Sequence, residues 1–159
     1  MKVLNKNVLR EFDLLDKYET GIALIGSEVK AIRTRGIKLD NAFVKIVGNE
    51  VSLINAEIPI YEYADPEFYD SNRTRKLLLH KKEILKLQGK LSQKPNLTIV
   101  PVSCYNRGSL IKLEIALARG KKLWEQKKVE KNKTEKRRIE KELKDYRGWL
   151  GFDAKIALL

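Results

Sequence analysis

Lysine and arginine supply most of the chemistry available to this sequence. They number 33 against 21 aspartates and glutamates in 159 residues, a formal net charge of +12. Such an excess favours polyanions, nucleic acid first and anionic membrane second. Other chemistries lack parts. One cysteine, Cys104, excludes an intramolecular disulfide and a Cys-rich zinc module, and one histidine, His80, leaves two-histidine metal sites and most Cys/His catalytic sites incomplete. The acidic residues are mostly scattered or set beside lysines, not clustered as a metal-dependent nuclease needs. These counts favour a binding role over metal or Cys/His chemistry.

The charge is unevenly placed, and this locates a boundary. Residues 119–147 hold 13 basic and 6 acidic side chains, a net of +7, whereas residues 1–118 hold 19 and 14, a net of +5. The basic segment carries few apolar residues, too few to offset an ordering entropy of roughly 1–2 kcal/mol per residue. It is expected to be a solvated tail or a helix that forms only on a surface. Lys136, Ile139, Leu143 and Tyr146 recur at helical spacing, Glu140 and Lys144 are a favourable i,i+4 pair, and neither proline nor glycine interrupts 124–147. Gly148 and Gly151 are expected to end the run. The last residues, 148–159, are apolar and nearly neutral.

The elements that must position the remaining cations read as mainly β. Strands are expected at Val8–Leu15, Gly21–Ile25, Ala42–Val47, Val51–Ala56, Leu97–Val102 and Leu110–Leu117, with hairpin connections at Gly48-Asn49-Glu50 and Asn106-Arg107-Gly108-Ser109. Pro101 predicts an edge or bulge. A helix is expected from Ser27 to near Gly36 with Val29 and Ile32 inward, and another over Lys81–Gly89 with Ile84 and Leu87 on one face. Tyr61–Arg75, polar and aromatic, reads as a long loop. About six short strands with two or three flanking helices fit a small β-barrel, closed or nearly so, carrying a basic C-terminal tail. The predicted division is a barrel over 1–119, the tail over 120–147 and an extension of unknown role over 148–159. The longest apolar runs are about four residues, far below a membrane span of roughly 20. Met1-Lys2-Val3-Leu4-Asn5-Lys6 has no signal-peptide pattern. A soluble, cytoplasmic protein without membrane partners is expected.

Several stretches together resemble one family. Asn5-Lys6, Tyr18-Glu19-Thr20-Gly21-Ile22-Ala23-Leu24, Gly26-Ser27-Glu28-Val29-Lys30, Arg73-Thr74-Arg75-Lys76-Leu77-Leu78-Leu79-His80-Lys81-Lys82-Glu83-Ile84, Leu97-Thr98-Ile99-Val100-Pro101 and Ile111–Leu123, with Ala116-Leu117-Ala118-Arg119-Gly120-Lys121-Lys122, occur in the order of the small protein B (SmpB) family of SsrA-binding proteins. The resemblance implies an OB-type barrel that binds the tRNA-like domain of transfer-messenger RNA (tmRNA). It implies delivery of that RNA, with elongation factor Tu–GTP, to ribosomes stalled on messages without a stop codon, and no catalysis by the protein. It further implies a tail that probes the empty mRNA channel and the small-subunit rRNA of the decoding centre.

The resemblance carries Asn5, Lys6, Glu19, Leu78, His80, Lys112 and Arg119 to the tmRNA-binding side. From its neighbours alone Glu19 reads as a turn residue beside Gly21. On an RNA face a carboxylate gains nothing from phosphates, so it should accept hydrogen bonds from base amino groups, ribose hydroxyls or a nearby arginine. Strand alternation sets Leu78 opposite to Leu77 and Leu79, and Lys112 opposite to Ile111 and Leu113. Gly120, Lys121, Lys122, Trp124, Lys127 and Lys128 are carried to the ribosome-facing tail. There the sequence departs from the family pattern Leu-Tyr/His-Asp-Lys-Arg, reading Leu123-Trp124-Glu125-Gln126-Lys127-Lys128. Trp124 keeps an aromatic platform, and Gln126 loses a cation. Two rival readings are a general single-strand-binding OB module and a barrel nuclease.

Overall fold

The computed structural model describes residues 2–67 and 69–156, with the backbone alone for 146–156. It forms two compact units, Met1–Gly120 and Lys121–Leu159.

The first unit is built on antiparallel strands: β1 (Lys2–Leu4), β2 (Phe12–Ile22), β3 (Phe43–Val47), β4 (Glu50–Ile54), β5 (Arg75–Leu78), β6 (Leu97–Arg107) and β7 (Leu110–Gly120). Their hydrogen-bonded order is β1-β6-β3-β4-β5-β2-β7, and β6 also pairs with β7. Six strands therefore close a ring, and β1 adds to β6 outside it. One edge of β6 serves two partners, β3 at Ile99 and β1 at Ser103–Tyr105. The register of β6 against β7 shifts between Pro101 and Ser103. Proline has no N–H to give a ladder, and a bulge removes the demand for one. Val47 pairs with Glu50 across Gly48-Asn49, where Gly48 supplies a φ of 59°.

Period-2 alternation places Ile111, Leu113, Ile115 and Leu117 inside the ring, with Val51, Leu53, Leu77, Ile99 and Cys104. α2 (Gly26–Arg35) and α3 (Lys81–Gln93) flank it. Ile32 from α2 and Ile84 and Leu87 from α3 are buried in the same core, against which Val29 also packs. Gly36 ends α2 at a φ of 86°. α3 continues past Gly89 to Gln93, because a lone glycine costs only about 1 kcal/mol against alanine and does not stop a packed helix.

The expected strand over Val8–Leu15 is corrected. Lys6–Glu11 is a helix, α1, and β2 begins only at Phe12. Asn5 decides this locally: its Oδ1 accepts from the N–H groups of Asn7 and Val8 at 3.2 and 3.4 Å, an N-cap that satisfies orphan donors. α1 then buries Val8 in a second small core with Val100, Val102, Ala116 and Ala118, where the alanines leave room for a helix.

The long loop before β5 is held by a group that periodicity does not reveal. Arg75 and Glu28 are both fully buried, 2.8 Å apart. The Arg75 guanidinium also donates to the carbonyls of Ala56, Arg73 and Ser71. Burial alone would raise the Glu28 pKa; Arg73 at 2.7 Å, the Ile25 N–H and Arg75 outweigh it, and the pKa is lowered.

The second unit holds α4, Leu123–Ile156. Glu125 Oε2 accepts from the Lys122 N–H at 2.9 Å, and Gln126 Nε2 donates to the Lys121 carbonyl at 3.0 Å. Arg138 and Glu142 pair at i,i+4. Leu123, Trp124, Ile139 and Leu143 are exposed. The helix passes through Gly148 and Gly151 instead of ending there. The side chains of 146–159, and with them Tyr146 and the expected extension's apolar residues, lie outside the described residues.

Candidate nucleic-acid interface

Four strand registers assemble one outward strip. Leu78 on β5 pairs with Gly21 on β2, Gly21 with Lys112 on β7, Lys112 with Tyr105 on β6, and Tyr105 with Lys2 on β1. Beside it runs a second row, Glu19 on β2, Glu114 on β7 and Ser103 on β6. Two residues along a strand return to the same face, so both rows point out of the ring. Leu78 is 58 % exposed, whereas Leu77 is buried, as alternation predicts.

Glu19 is the centre of this face. The Tyr105 hydroxyl donates to its Oε2, Arg107 Nη1 donates to Oε1 at 3.1 Å, and Lys112 Nζ lies 3.8 Å from Oε1. The Tyr105 hydrogen bond, then Arg107 and Lys112, hold the Glu19 carboxyl below its usual range against the opposing effect of desolvation. In return Glu19 pushes the Tyr105 phenol up to about 12. Glu114 is held separately: Ser103 Oγ donates to it at 2.9 Å and Lys17 Nζ lies 3.2 Å away. Burial opposes ionisation of Glu114, but Ser103 and Lys17 prevail and lower its pKa. Through the neutral range these carboxylates stay charged and Tyr105 stays protonated. The face therefore offers fixed acceptors among cations, with an apolar strip at Leu78.

The sequence-predicted residues divide. Glu19, Leu78 and Lys112 meet on this face. His80 lies two residues beyond Leu78, is exposed, and precedes α3, where its N–H donates to Glu83 Oε2 at 2.9 Å. Asn5 is buried, 3 % exposed. Its Nδ2 donates to the Leu39 and Pro101 carbonyls at 2.8 and 3.1 Å while its Oδ1 caps α1. Lys6 is exposed on α1. Arg119 pairs with Asp13 at 3.4 Å and stands seven residues along β7 from Lys112, about 23 Å at a rise of about 3.3 Å per residue. Gly120 ends β7 with open space around it. Lys121 and Lys122 lead into α4, which carries Trp124, 62 % exposed, with exposed Lys127 and Lys128.

Sequence reasoning missed Tyr105, Arg107 and Lys2. Alternation from Cys104 would have put Tyr105 outward, but nothing short of the β6–β7 register sets it beside Lys112. Among the described residues no group of three His, Cys, Asp or Glu side chains could hold a metal ion, and no helix is long and apolar enough to cross a membrane.

Comparison with known proteins agrees in one direction. The family model described as SmpB protein matches residues 2–145. The SsrA-binding protein of Sulfurihydrogenibium sp. (strain YO3AOP1) is 47 % identical over 140 residues, 88 % of this chain and 91 % of its own. That of Aquifex aeolicus (strain VF5) is 43 % identical over 141 residues, 88 % of this chain and 89 % of its own. Among solved structures, one described as "tmRNA-SmpB: a journey to the center of the bacterial ribosome" contains a similar chain. It is 39 % identical with a TM-score of 0.63, covering 77 % of this chain and 85 % of that one.

Proposed function

The chain belongs to the SmpB protein family, and from that premise we propose that it binds tmRNA and brings it to stalled ribosomes for trans-translation. The observation that carries this reading is the strip joining Leu78, Gly21, Lys112, Tyr105 and Lys2 across five strands, with Glu19 fixed beside it. RNA that is folded is bound by shape, through phosphate and ribose contacts and stacking, more than by a base code. Lys2, Lys112 and Arg107 supply contacts for phosphates, and Leu78 and Tyr105 supply surface for a ribose or base. The partner on this side is the tRNA-like domain, carried together with elongation factor Tu–GTP.

The second unit acts on the ribosome. Each lysine or arginine ordered against rRNA releases counterions, so α4 suits an rRNA-lined channel left vacant by mRNA. Trp124 gives a base a stacking surface worth roughly 1–3 kcal/mol in single-strand binding. Glu125 and Gln126 close the first turn of α4, with Gln126 standing where the family pattern has a cation. The protein is a cytoplasmic binding partner and not a catalyst.

A gel-shift titration with tmRNA, tRNA and random unstructured RNA tests this. Tight binding to tmRNA, with tRNA and random RNA competing poorly, is expected. Equal competition by random RNA would replace the reading with a general single-strand-binding module.

A further inference from the structure

The loop between β4 and β5 ends in a pair of tyrosine rings. Tyr61 and Tyr63 meet edge to face, their centroids 5.5 Å apart at an interplanar angle of 62°. The Ala64 N–H donates to the Tyr61 carbonyl at 2.9 Å, the turn that brings the two rings together. Tyr63 is 81 % exposed, more than any other large apolar side chain among the described residues. Such a ring in water is surface of the kind that anchors protein interfaces.

The loop stands on a fixed base. The Ile58 N–H donates to the Ser71 carbonyl at 3.0 Å, and the Tyr69 hydroxyl donates to the Ile58 and Pro59 carbonyls at 2.9 and 3.2 Å. The buried Arg75 guanidinium holds the carbonyls of Ala56, Ser71 and Arg73. The rings are therefore presented in place, and little ordering is left for a partner to bring about.

The surroundings of the rings select the sign of that partner. Residues 46–72 carry six carboxylates and no lysine or arginine, in a chain of net charge +12. Glu50 and Glu57 are answered by Lys76 and Lys38. Glu62, Asp65, Glu67 and Asp70 are exposed, and among the described residues none has an ion-pair partner. The next cations along the chain, Arg73 and Arg75, are taken up by Glu28. Carboxylates in this density repel phosphates and attract cations, so the loop turns RNA away. The rings favour the same sign: Lys30 Nζ already lies 5.4 Å from the Tyr61 centroid, a cation held by a ring quadrupole. Tyr63 carries no such cation among the described residues. Arginine fits both features, because its flat guanidinium stacks on a ring and its fork of donors matches a carboxylate.

We propose that this loop docks an arginine-bearing segment of a basic protein, one guanidinium on Tyr63 and neighbouring cations on Glu62, Asp65 and Glu67. The surface is separate from the RNA-binding face, and the inference does not rest on that reading.

The test titrates the isotope-labelled, RNA-free full chain with a nona-arginine peptide and follows backbone amides by NMR. Saturable shifts concentrated in residues 61–70 are expected. Tyr63→Ala, at an exposed position where folding is not at stake, should weaken the peptide about fivefold, the worth of one cation–π contact. A nona-lysine peptide should bind at least about threefold more weakly than nona-arginine, because lysine lacks the planar fork. Glu62→Gln with Asp65→Asn and Glu67→Gln should abolish the shifts, whereas Glu50→Gln should leave them. The tRNA-like domain of tmRNA should not move these amides. Absence of shifts in 61–70, or equal binding after Tyr63→Ala, would overturn the inference. So would equal binding of the two peptides, which marks a diffuse charge effect, or a response of the loop to RNA in place of peptide.

Discussion

The two compact units of this chain are specified by different physics. Residues up to Gly120 form a ring whose inner positions are filled by Leu113, Ile115, Leu117, Val51, Leu53 and their neighbours, so burial fixes both strand register and which side chains face out. Of α4, Leu123, Trp124, Ile139 and Leu143 are all exposed, and its order comes from propensity, capping and i,i+4 pairing. The difference teaches that the first unit can present a fixed chemical surface in isolation. The second gains most of its energy only when something covers it.

The largest expected effect separates their jobs. Truncation after Lys122 should leave tmRNA affinity within a few-fold while abolishing peptide tagging on stalled ribosomes. Comparable loss of both activities would merge the two units into one RNA-binding surface. Next comes stability. Arg75→Met leaves Glu28 buried with one arginine partner fewer, and breaking a buried pair costs about 3–5 kcal/mol. Urea unfolding of the first unit should register that loss, while Glu142→Ala in α4 should leave the same transition unmoved.

Acid sharpens the contrast. Glu28, Glu19, Glu114 and Asp16 all have lowered pKa values in the folded chain. The unfolded chain thus binds more protons, and stability rises with pH. The stabilisation is full above the ordinary carboxylate range, near pH 4–5, and is lost as pH falls through the folded values. The first unit should therefore destabilise on acidification below about pH 4. Glu28→Gln should flatten that dependence; an unchanged acid limb would remove Glu28 from it.

Smaller effects remain. Lys112→Ala should reduce the log–log salt slope of tmRNA binding by roughly 0.7–0.9, the value of one phosphate, and an unchanged slope would take Lys112 off the phosphates. Glu125→Ala should cost α4 roughly 0.3–1.5 kcal/mol of helix stability through its lost cap, read by circular dichroism, with no change in the first unit's melting.

What the sequence disclosed follows the same division. The β6–β7 and β3–β4 hairpins, the bulge at Pro101 and the outward turn of Leu78 and Lys112 were all legible, because period-2 alternation and turn residues encode them locally. The helix at Lys6–Glu11 was not, since what it packs on, Val8 against Val100, Val102, Ala116 and Ala118, is distant in sequence. The Glu28–Arg75 pair was hidden for the same reason: charged residues read as surface until a fold encloses them. Glu19 was placed on the RNA side by family resemblance, but its neighbours Tyr105 and Arg107 are 86 and 88 residues away, and only ring closure reveals them.

Side-chain footprinting of the full chain with and without tmRNA, by hydroxyl radicals, asks most directly which unit holds the RNA. Protection concentrated at Leu78, Tyr105 and Lys112, with Trp124 and Leu143 as reactive as before, is the predicted result. Protection centred on α4, with Tyr105 and Leu78 unchanged, would contradict it.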